Sequence, residues 1–264
     1  MIHMLDNSSS EAWANVCAVI SKDSEKHIEF YLEKSKVYPG RILELGCATG
    51  AITKGLAAAG VEVQAIDPSS EMIKIANRRV GRLHDIQKVT VTQAALLGYE
   101  TKPGDTFGMA IVPCSGFMSL LTPTEQQQFL KKVRYSLSSN GCLIIDFQSP
   151  DQKILFGDPG VLHHVKDVEG DSEDWARLLL YAQRDFDHYE QVGRIKIVAE
   201  YVNQAGVIAM KVSQDIQVRY THHWEMHHLL ILCGFEVVGV YGDFCGAPFT
   251  GESQTMVWVA RTRS

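Results

Sequence analysis

The stretch Ile42-Leu43-Glu44-Leu45-Gly46-Cys47-Ala48-Thr49-Gly50 decides the fold. Arg41 to Leu45 reads as a short buried strand, cut off from what precedes it by Pro39-Gly40. It runs directly into a turn of small residues. Beyond the turn, Ala51 to Ala59 is rich in helix formers and stops at Gly60. Glycines at a strand-to-helix turn let backbone approach a ligand closely and adopt positive φ. The helix N-terminus that follows favours a carboxylate or phosphate. Val61 to Ile66 is a second strand, closing on Asp67-Pro68, and Asp67 stands 17 residues after Gly50.

Outward from this unit the same alternation continues. Ser69 or Ser70 can cap a helix running to about Arg79. Lys88 to Thr92 is a β-branched third strand and Phe107 to Val112 a fourth. Thr122-Pro123-Thr124-Glu125 combines a capping box with proline at the first helical position, and that helix runs to about Leu137. Asn140-Gly141 then turns into the strand Cys142 to Phe147. Strand and helix alternating from 41 to 147 predict a parallel sheet with helices on both faces. Upstream, residues 11–38 carry helical spacing through Trp13, Val16, Val19 and Ile20, then Ile28, Phe30, Tyr31 and Leu32. Downstream, Arg177 to Tyr220 reads as three or four antiparallel strands with turns near Gly193 and Gly206. Helical spacing returns at His222 to Leu232 and stops at Gly234, before two last strands, Glu236 to Tyr241 and Met256 to Ala260. The expected architecture is α/β: a Rossmann-like, mostly parallel seven-stranded sheet with helices on both faces. Residues 1–150 and 221–264 form that domain, and 151–220 an antiparallel, lid-like insertion.

A length of 264 residues suits one large α/β domain with an inserted element, and 45% apolar with 21% charged residues is ordinary for a folded chain. Six scattered cysteines without a C-x-x-C pair suit reduced thiols. No apolar run approaches the roughly 18–20 residues that span a bilayer, and Met1 to Ser10 lacks the apolar core of a signal peptide. A cytoplasmic location is the expectation. Net charge is −6 with dispersed Lys and Arg, which argues against the basic stripe of a nucleic-acid binder.

Glu44, the glycine turn and Asp67 together resemble the first two motifs of class I S-adenosylmethionine-dependent methyltransferases. The resemblance covers about residues 28–150 and 217–261. It implies that Glu44 receives the methionine amino group, that Gly46, Ala48 and Gly50 form the glycine turn with alanine in the middle, and that Asp67 accepts hydrogen bonds from both ribose hydroxyls. By the same resemblance Cys47, Pro68, Met72, Gln93, Ala94, Ala95, Pro113 and Cys114 complete the cofactor-binding set. The stretch Thr92-Gln93-Ala94-Ala95-Leu96 lacks the aspartate that many such enzymes place by the adenine amino group, which leaves that contact to Gln93 or to backbone. A dinucleotide fits less well. It needs its second glycine for the pyrophosphate where this chain has Ala48, and an apolar residue where it has Glu44.

Two further signals are weighed and set aside. Pro113-Cys114 superficially matches the nucleophile of cytosine-C5 methyltransferases, but no Glu-Asn partner motif or basic recognition region accompanies it. His223 and His227 stand one helical turn apart, a spacing that could bind zinc, yet the stretch is better explained as an amphipathic helix, and no metal is expected. The expected function is transfer of a methyl group to a small-molecule N or O nucleophile by direct displacement. The alternatives are a binding or regulatory protein on the same fold, or a non-methylating enzyme, such as a cyclase, that retains the cofactor. His163, His164, Tyr220 and His222 are the candidates for a general base, since they flank the insertion. The expected partners are a small-molecule acceptor, with no nucleic acid and no membrane, and homodimerisation is left open.

Overall fold

In the computed structural model, residues 3–4, 11–21, 24–83, 88–101, 104–170 and 174–263 are described. In chain order the elements are β1 (His3–Met4), α1 (Glu11–Ile20), α2 (Glu25–Val37), β2 (Ile42–Leu45), α3 (Ala51–Ala58), β3 (Val63–Asp67), α4 (Ser70–Val80), β4 (Val89–Gln93) and β5 (Phe107–Val112). A 3-10 turn (Gly116–Ser119) leads to α5 (Pro123–Ser136), β6 (Leu137–Gln148) and the single turn α6 (Gln152–Leu155). Then come β7 (Leu162–Glu169), β8 (Arg177–Asp187), β9 (Val192–Val202), β10 (Ile208–Arg219), α7 (His223–Leu232), β11 (Phe235–Tyr241) and β12 (Thr255–Thr262).

Seven strands form one sheet in the order β11-β12-β6-β5-β2-β3-β4. β6, β5, β2, β3 and β4 are mutually parallel, and β12 runs against both β6 and β11. β2 and β5 are buried along their whole length, as expected of central strands covered by helices on both faces. The chain leaves β2 towards β3 on one side and later returns to β5 on the other. Strand order therefore reverses between β2 and β5, which opens a crevice beyond their C-terminal ends. The caps read from sequence are present. Ser69 Oγ accepts from Met72 N–H at 3.3 Å, and Thr122 and Glu125 form a reciprocal box with Pro123 in the first helical turn.

Asn140-Gly141 behaves differently from its expected place as a turn ahead of the strand. β6 begins at Leu137, paired with Phe107, and resumes its pairing with Cys142 opposite Met109. Residues 138–141 form a bulge inside one strand, with Asn140 at φ 65° supplying the left-handed kink.

A second, antiparallel sheet has the order β1-β10-β9-β8-β7. Residues 151–220 supply four of its five strands. It starts earlier than its apolar alternation predicts, so His163 and His164 lie within strand β7 and not in a connecting loop. Leu178, Leu180, Ala199, Tyr201 and Val212 line its inner face. They are buried against Trp13, Ala14 and Val16 of α1 and Met72 and Ile75 of α4. This cluster joins the antiparallel sheet, the N-terminal helix and the parallel domain. Among the described residues no helix is long and apolar enough to cross a membrane.

Candidate active site

The crevice is built around the turn after β2. Gly46 and Cys47 N–H both donate to Ile66 O at 2.9 Å, which ties the turn to the end of β3. Gly46, Ala48 and Gly50 take φ of 91°, 47° and 74°. At Gly50 a Cβ would lie 2.8 Å from the Cβ of Ala76, so α4 packs against this turn too closely for any side chain. Ala48 carries its methyl in a left-handed conformation that costs an L-residue about 1–2 kcal/mol.

Two carboxylates meet beneath this turn, and neither has exposed surface. One Asp67 oxygen accepts from Ala48 N–H at 2.8 Å and the other from Ser69 N–H at 2.9 Å. A carboxylate offers about four acceptor sites, so each oxygen keeps one lone pair. Burial raises the Asp67 pKa, opposed by these backbone hydrogen bonds. Glu44 Oε2 accepts from Thr53 Oγ1 at 2.6 Å, while Oε1 is buried and has no partner. Burial pushes the Glu44 carboxyl up to about 7; the Thr53 hydrogen bond opposes this, and the Asp67 charge adds to it.

The other predicted cofactor residues divide between this turn and its surroundings. Gln93 Nε2 donates to Pro68 O at 3.0 Å, and Ala94 N–H donates to Asp67 O at 3.0 Å, so β4 braces the Asp67 loop. Ala95 is exposed beside them and Cys47 is buried under the turn. Met72 is buried in the cluster formed by α1, α4 and the antiparallel sheet, against which Ala48 also packs.

Helix α1 lies across the turn, a contact the sequence does not reveal. Arg79 on α4 is the clasp. Its Nη1 donates to Thr49 Oγ1 (2.8 Å), Thr49 O (3.1 Å) and Ser21 Oγ (3.3 Å), and its Nη2 to Ala18 O (2.9 Å). Cys17 on α1 comes close enough to feel Asp67: burial, and then that charge, push its thiol up to about 12.

On the other side of the crevice, Pro113 ends β5, and Cys114 and Ser115 both take positive φ (54° and 63°). Asp146, near the end of β6, holds this bend. Its Oδ2 accepts from Cys114 N–H at 2.9 Å and its Oδ1 from Tyr31 Oη–H at 3.0 Å. Burial raises its pKa to about 6 against those hydrogen bonds. Beside it opens a cleft of about 300 Å³, lined by Ser115, Asp146, His27, Phe244 and Gln148 among others. The His27 ring lies 3.8 Å from that of Phe244, and burial lowers its pKa.

Residues 42–141 match the family described as "Methyltransferase domain". With the acidic strand end, the glycine turn and the second acidic strand end in place, the assignment follows. Residues 42–141 form the methyltransferase domain of an S-adenosylmethionine-dependent methyltransferase. A Bacillus subtilis (strain 168) protein, YqeM, provisionally named a methyltransferase, is 24% identical over 232 residues, covering 88% of this chain and 87% of that protein. The carboxy-S-adenosyl-L-methionine synthase of Erwinia tasmaniensis is 26% identical over 176 residues, or 62% of this chain and 64% of the synthase. Among solved structures, the CcbJ methyltransferase of Streptomyces caelestis superimposes with a TM-score of 0.77 at 18% identity, over 92% of this chain and 90% of its own. The amino pentose methyltransferase CalS10 of Micromonospora echinaspora gives 0.72 at 16% identity, over 98% and 99%. These two structures share the fold with this methyltransferase.

The residues present fit the cofactor. The buried Glu44 Oε1 has no partner among the described residues and can accept, and the amino group of S-adenosylmethionine is a charged donor; burial raises the Glu44 pKa, which such a donor would oppose. Of the four base candidates, Tyr220 is buried with its hydroxyl 3.2 Å from His188 Nδ1, in the same apolar cluster as Phe117 and Met118 of the 3-10 turn. His222 is exposed at the cap of α7, its ring 5.5 Å from that of Tyr220. His163 pairs with Ala182 and so shares the inner face of the antiparallel sheet. His164 pairs with Tyr181 and holds Asp167 at 2.6 Å. Each pair is adjacent in space, and His163 and His164, paired with Ala182 and Tyr181, both border a cavity that Arg184 lines. His223 stacks on Phe249 and sits 5.0 Å from the Trp258 ring. Sequence reading missed Asp146, Tyr31, His27 and Arg79. For Asp146 the signal was available: one carboxylate inside the otherwise apolar run Cys142 to Phe147.

Proposed function

We propose that the protein transfers a methyl group to a nitrogen or oxygen of a small molecule by direct displacement, with 151–220 acting as a lid over the acceptor. One observation carries the reading. The antiparallel sheet packs on α1 and α4 beside the cofactor turn, and a cleft opens next to it at the bend that follows β5. Bound at the turn, S-adenosylmethionine supplies an electrophilic methyl group on its sulfonium. Glu44 and Asp67 hold the two ends of the cofactor through its amino and ribose hydroxyl groups, and Gln93 or the Ala94-Ala95 backbone borders its base. The Pro113-Cys114-Ser115 bend, fixed by Asp146, shapes the boundary between cofactor and acceptor. The lid excludes water, so catalysis is largely positioning. An amine acceptor needs only a neutral nitrogen, and His27, kept neutral by burial, stands in the cleft to take a proton. For an acceptor reached from the lid, Tyr220, His222, His163 and His164 remain the base candidates. The solved sugar N-methyltransferase KedS8, with a TM-score of 0.71 over 99% of this chain, supports a nitrogen acceptor by its fold alone.

Incubation with methyl-labelled cofactor and a small-molecule extract tests this. Label appearing in a low-molecular-weight product is the expected result, and cofactor binding without any transfer would overturn it. The similarity to a carboxy-S-adenosyl-L-methionine synthase favours one second reading, in which the cofactor itself is modified. Mass spectrometry of the same reaction separates the two, since that product is a cofactor heavier by a carboxyl group.

A further inference from the structure

Removing a guanidinium from water without giving it acceptors is costly, so half-buried arginines come with partners. Two arginines here obey this. Arg79 has the four acceptors described above. Arg219, 5% exposed, donates to Glu190 O, to Gln191 Oε1 at 2.8 Å and to Glu225 Oε1 at 3.3 Å. Arg184 does not. It is half-buried and has no hydrogen-bond or ion-pair partner among the described residues. Burial lowers its pKa, and no neighbouring charge offsets that loss.

Its place on β8 shows where it faces. Leu178, Leu180 and Ala182 are the buried residues of that strand, and the two-residue period puts Arg184 on the same inner face. Directly paired residues of antiparallel strands point to the same side. His163, opposite Ala182, therefore shares that face on the diagonal to Arg184. The inner face turns from apolar to cationic here and then returns to apolar at Phe186. Arg184 and His163 line a cavity of about 990 Å³, bounded across from them by the chain leaving β6 and by the loop before β12. Among the described residues none of the carboxylates in that wall pairs with Arg184. Asp151 accepts from Lys153 N–H and Asp158 from Gly160 N–H, each at 2.8 Å, and Glu252 makes no ion pair with Arg184. Gln148 lines both this cavity and the cleft at Asp146, so the two are neighbours with that side chain at their border.

We propose that Arg184, with His163 beside it, binds an oxyanion of the methyl acceptor, a carboxylate or phosphate group, so that the substrate is an acidic small molecule spanning the two cavities. A planar guanidinium grips such a group through two parallel hydrogen bonds, and the ligand then supplies the acceptors that the fold withholds. This deepens the methyltransferase reading above and rests on it.

The test uses the full chain saturated with S-adenosylhomocysteine and labelled with ¹⁵N-arginine. The Arg184 Nε–H resonance is assigned by its loss in Arg184→Gln. Inorganic phosphate and propionate are titrated separately at ionic strength held constant with sodium chloride. A saturable shift of that resonance in the millimolar range, with the Arg79 and Arg219 resonances unmoved, is the expected result. In His163→Ala the same titration should weaken about two- to fivefold. Whichever of the two anions saturates at the lower concentration identifies the oxyanion. A linear drift, a shift shared by all three arginines, or no shift with either anion would overturn the proposal. Calorimetry of S-adenosylhomocysteine on Arg184→Gln should agree with wild type within threefold. Loss of cofactor binding in the wild type itself would instead count against the methyltransferase reading, so the two failures are distinguishable.

Discussion

Replacing Glu44 with glutamine isolates what the cofactor's amino group does to this fold. Glu44 is enclosed, holds Thr53 with one oxygen, has no partner for the other, and its pKa is raised to about 7. In the unfolded chain a glutamate titrates near 4.3. The folded protein therefore keeps this proton at pH values where the unfolded chain has lost it. For a carboxyl raised in this way, the stabilising contribution is complete below about pH 4.3 and is lost as pH rises through about 7. Over a rise from about 4.3 to about 7 the whole contribution is on the order of 4 kcal/mol, most of which disappears between pH 5 and 8. A glutamine side chain in this place would keep an oxygen for Thr53 and carry no charge. Urea unfolding of cofactor-free protein should show Glu44→Gln losing roughly 3 kcal/mol less than wild type between those pH values. Asp67 and Asp146, also raised, leave a slope of the same sign in both proteins. Cofactor binding reverses the local preference, because an ammonium beside Glu44 favours the carboxylate. At pH 7 that carboxyl is about half protonated, so binding should release up to about half a proton, read by calorimetry in buffers of different ionisation enthalpy. Glu44→Gln should show no such release and bind S-adenosylhomocysteine roughly 10- to 150-fold more weakly, the equivalent of a charge-assisted hydrogen bond of about 1.5–3 kcal/mol. Equal pH slopes and equal proton release in the two proteins would refute the assignment of Glu44 as the receptor for that amino group.

Asp67→Asn places an amide against two backbone N–H donors that both need an acceptor, so stability should fall by about 1–3 kcal/mol and affinity for S-adenosylhomocysteine by at least about tenfold. Calorimetry on the folded variant checks this, and unchanged affinity would rule out the ribose role. Arg79→Met removes the clasp between α1 and the glycine turn. It should cost about 2–3 kcal/mol in urea unfolding and speed cofactor association several-fold in stopped flow, whereas slower association would show that α1 does not restrict access. Ala48→Gly relieves a left-handed alanine at φ 47° while adding freedom to the unfolded chain, for a net gain of about 0.5–1 kcal/mol. A lowered melting temperature would mean that the alanine methyl packs on Trp13 and its neighbours to greater effect than its backbone is strained.

The parallel domain was legible because its signals are local. The apolar runs of β2 and β5, the small residues between β2 and α3, and the caps Ser69 and Thr122 each act within a few residues of themselves. The place of Glu44 and Asp67 beneath the glycine turn was legible for the same reason, since a strand end and its turn lie together in sequence. β7 was not, because its residues are mostly exposed on an edge strand and show no apolar alternation. The Asn140-Gly141 bulge reads locally as a turn, and only its pairing with β5 on both sides reveals one strand. Tyr31 with Asp146, and Arg79 with Ala18 and Thr49, are meetings of residues distant in sequence, for which a single chain offers no periodicity. Arg184 lies between these cases. Its charge on an otherwise apolar phase of β8 can be read from the sequence, but its lack of acceptors appears only in three dimensions.

The cluster that unites Trp13, Ala14 and Val16 with Leu178, Leu180, Tyr201 and Val212 has a consequence for how the chain is made. α1 leaves the ribosome before the parallel strands β2 to β6, yet much of the surface that buries it is translated only after them. At roughly 5–20 residues per second, Trp13 waits on the order of ten seconds or more for its neighbours. Until then an amphipathic helix with Trp13 on its apolar face stays partly uncovered beside a nascent sheet, and closing so long a loop is slow. α1 and the antiparallel sheet should therefore order together and late, and a ribosome-stalled chain ending before β8 should carry a protease-sensitive α1.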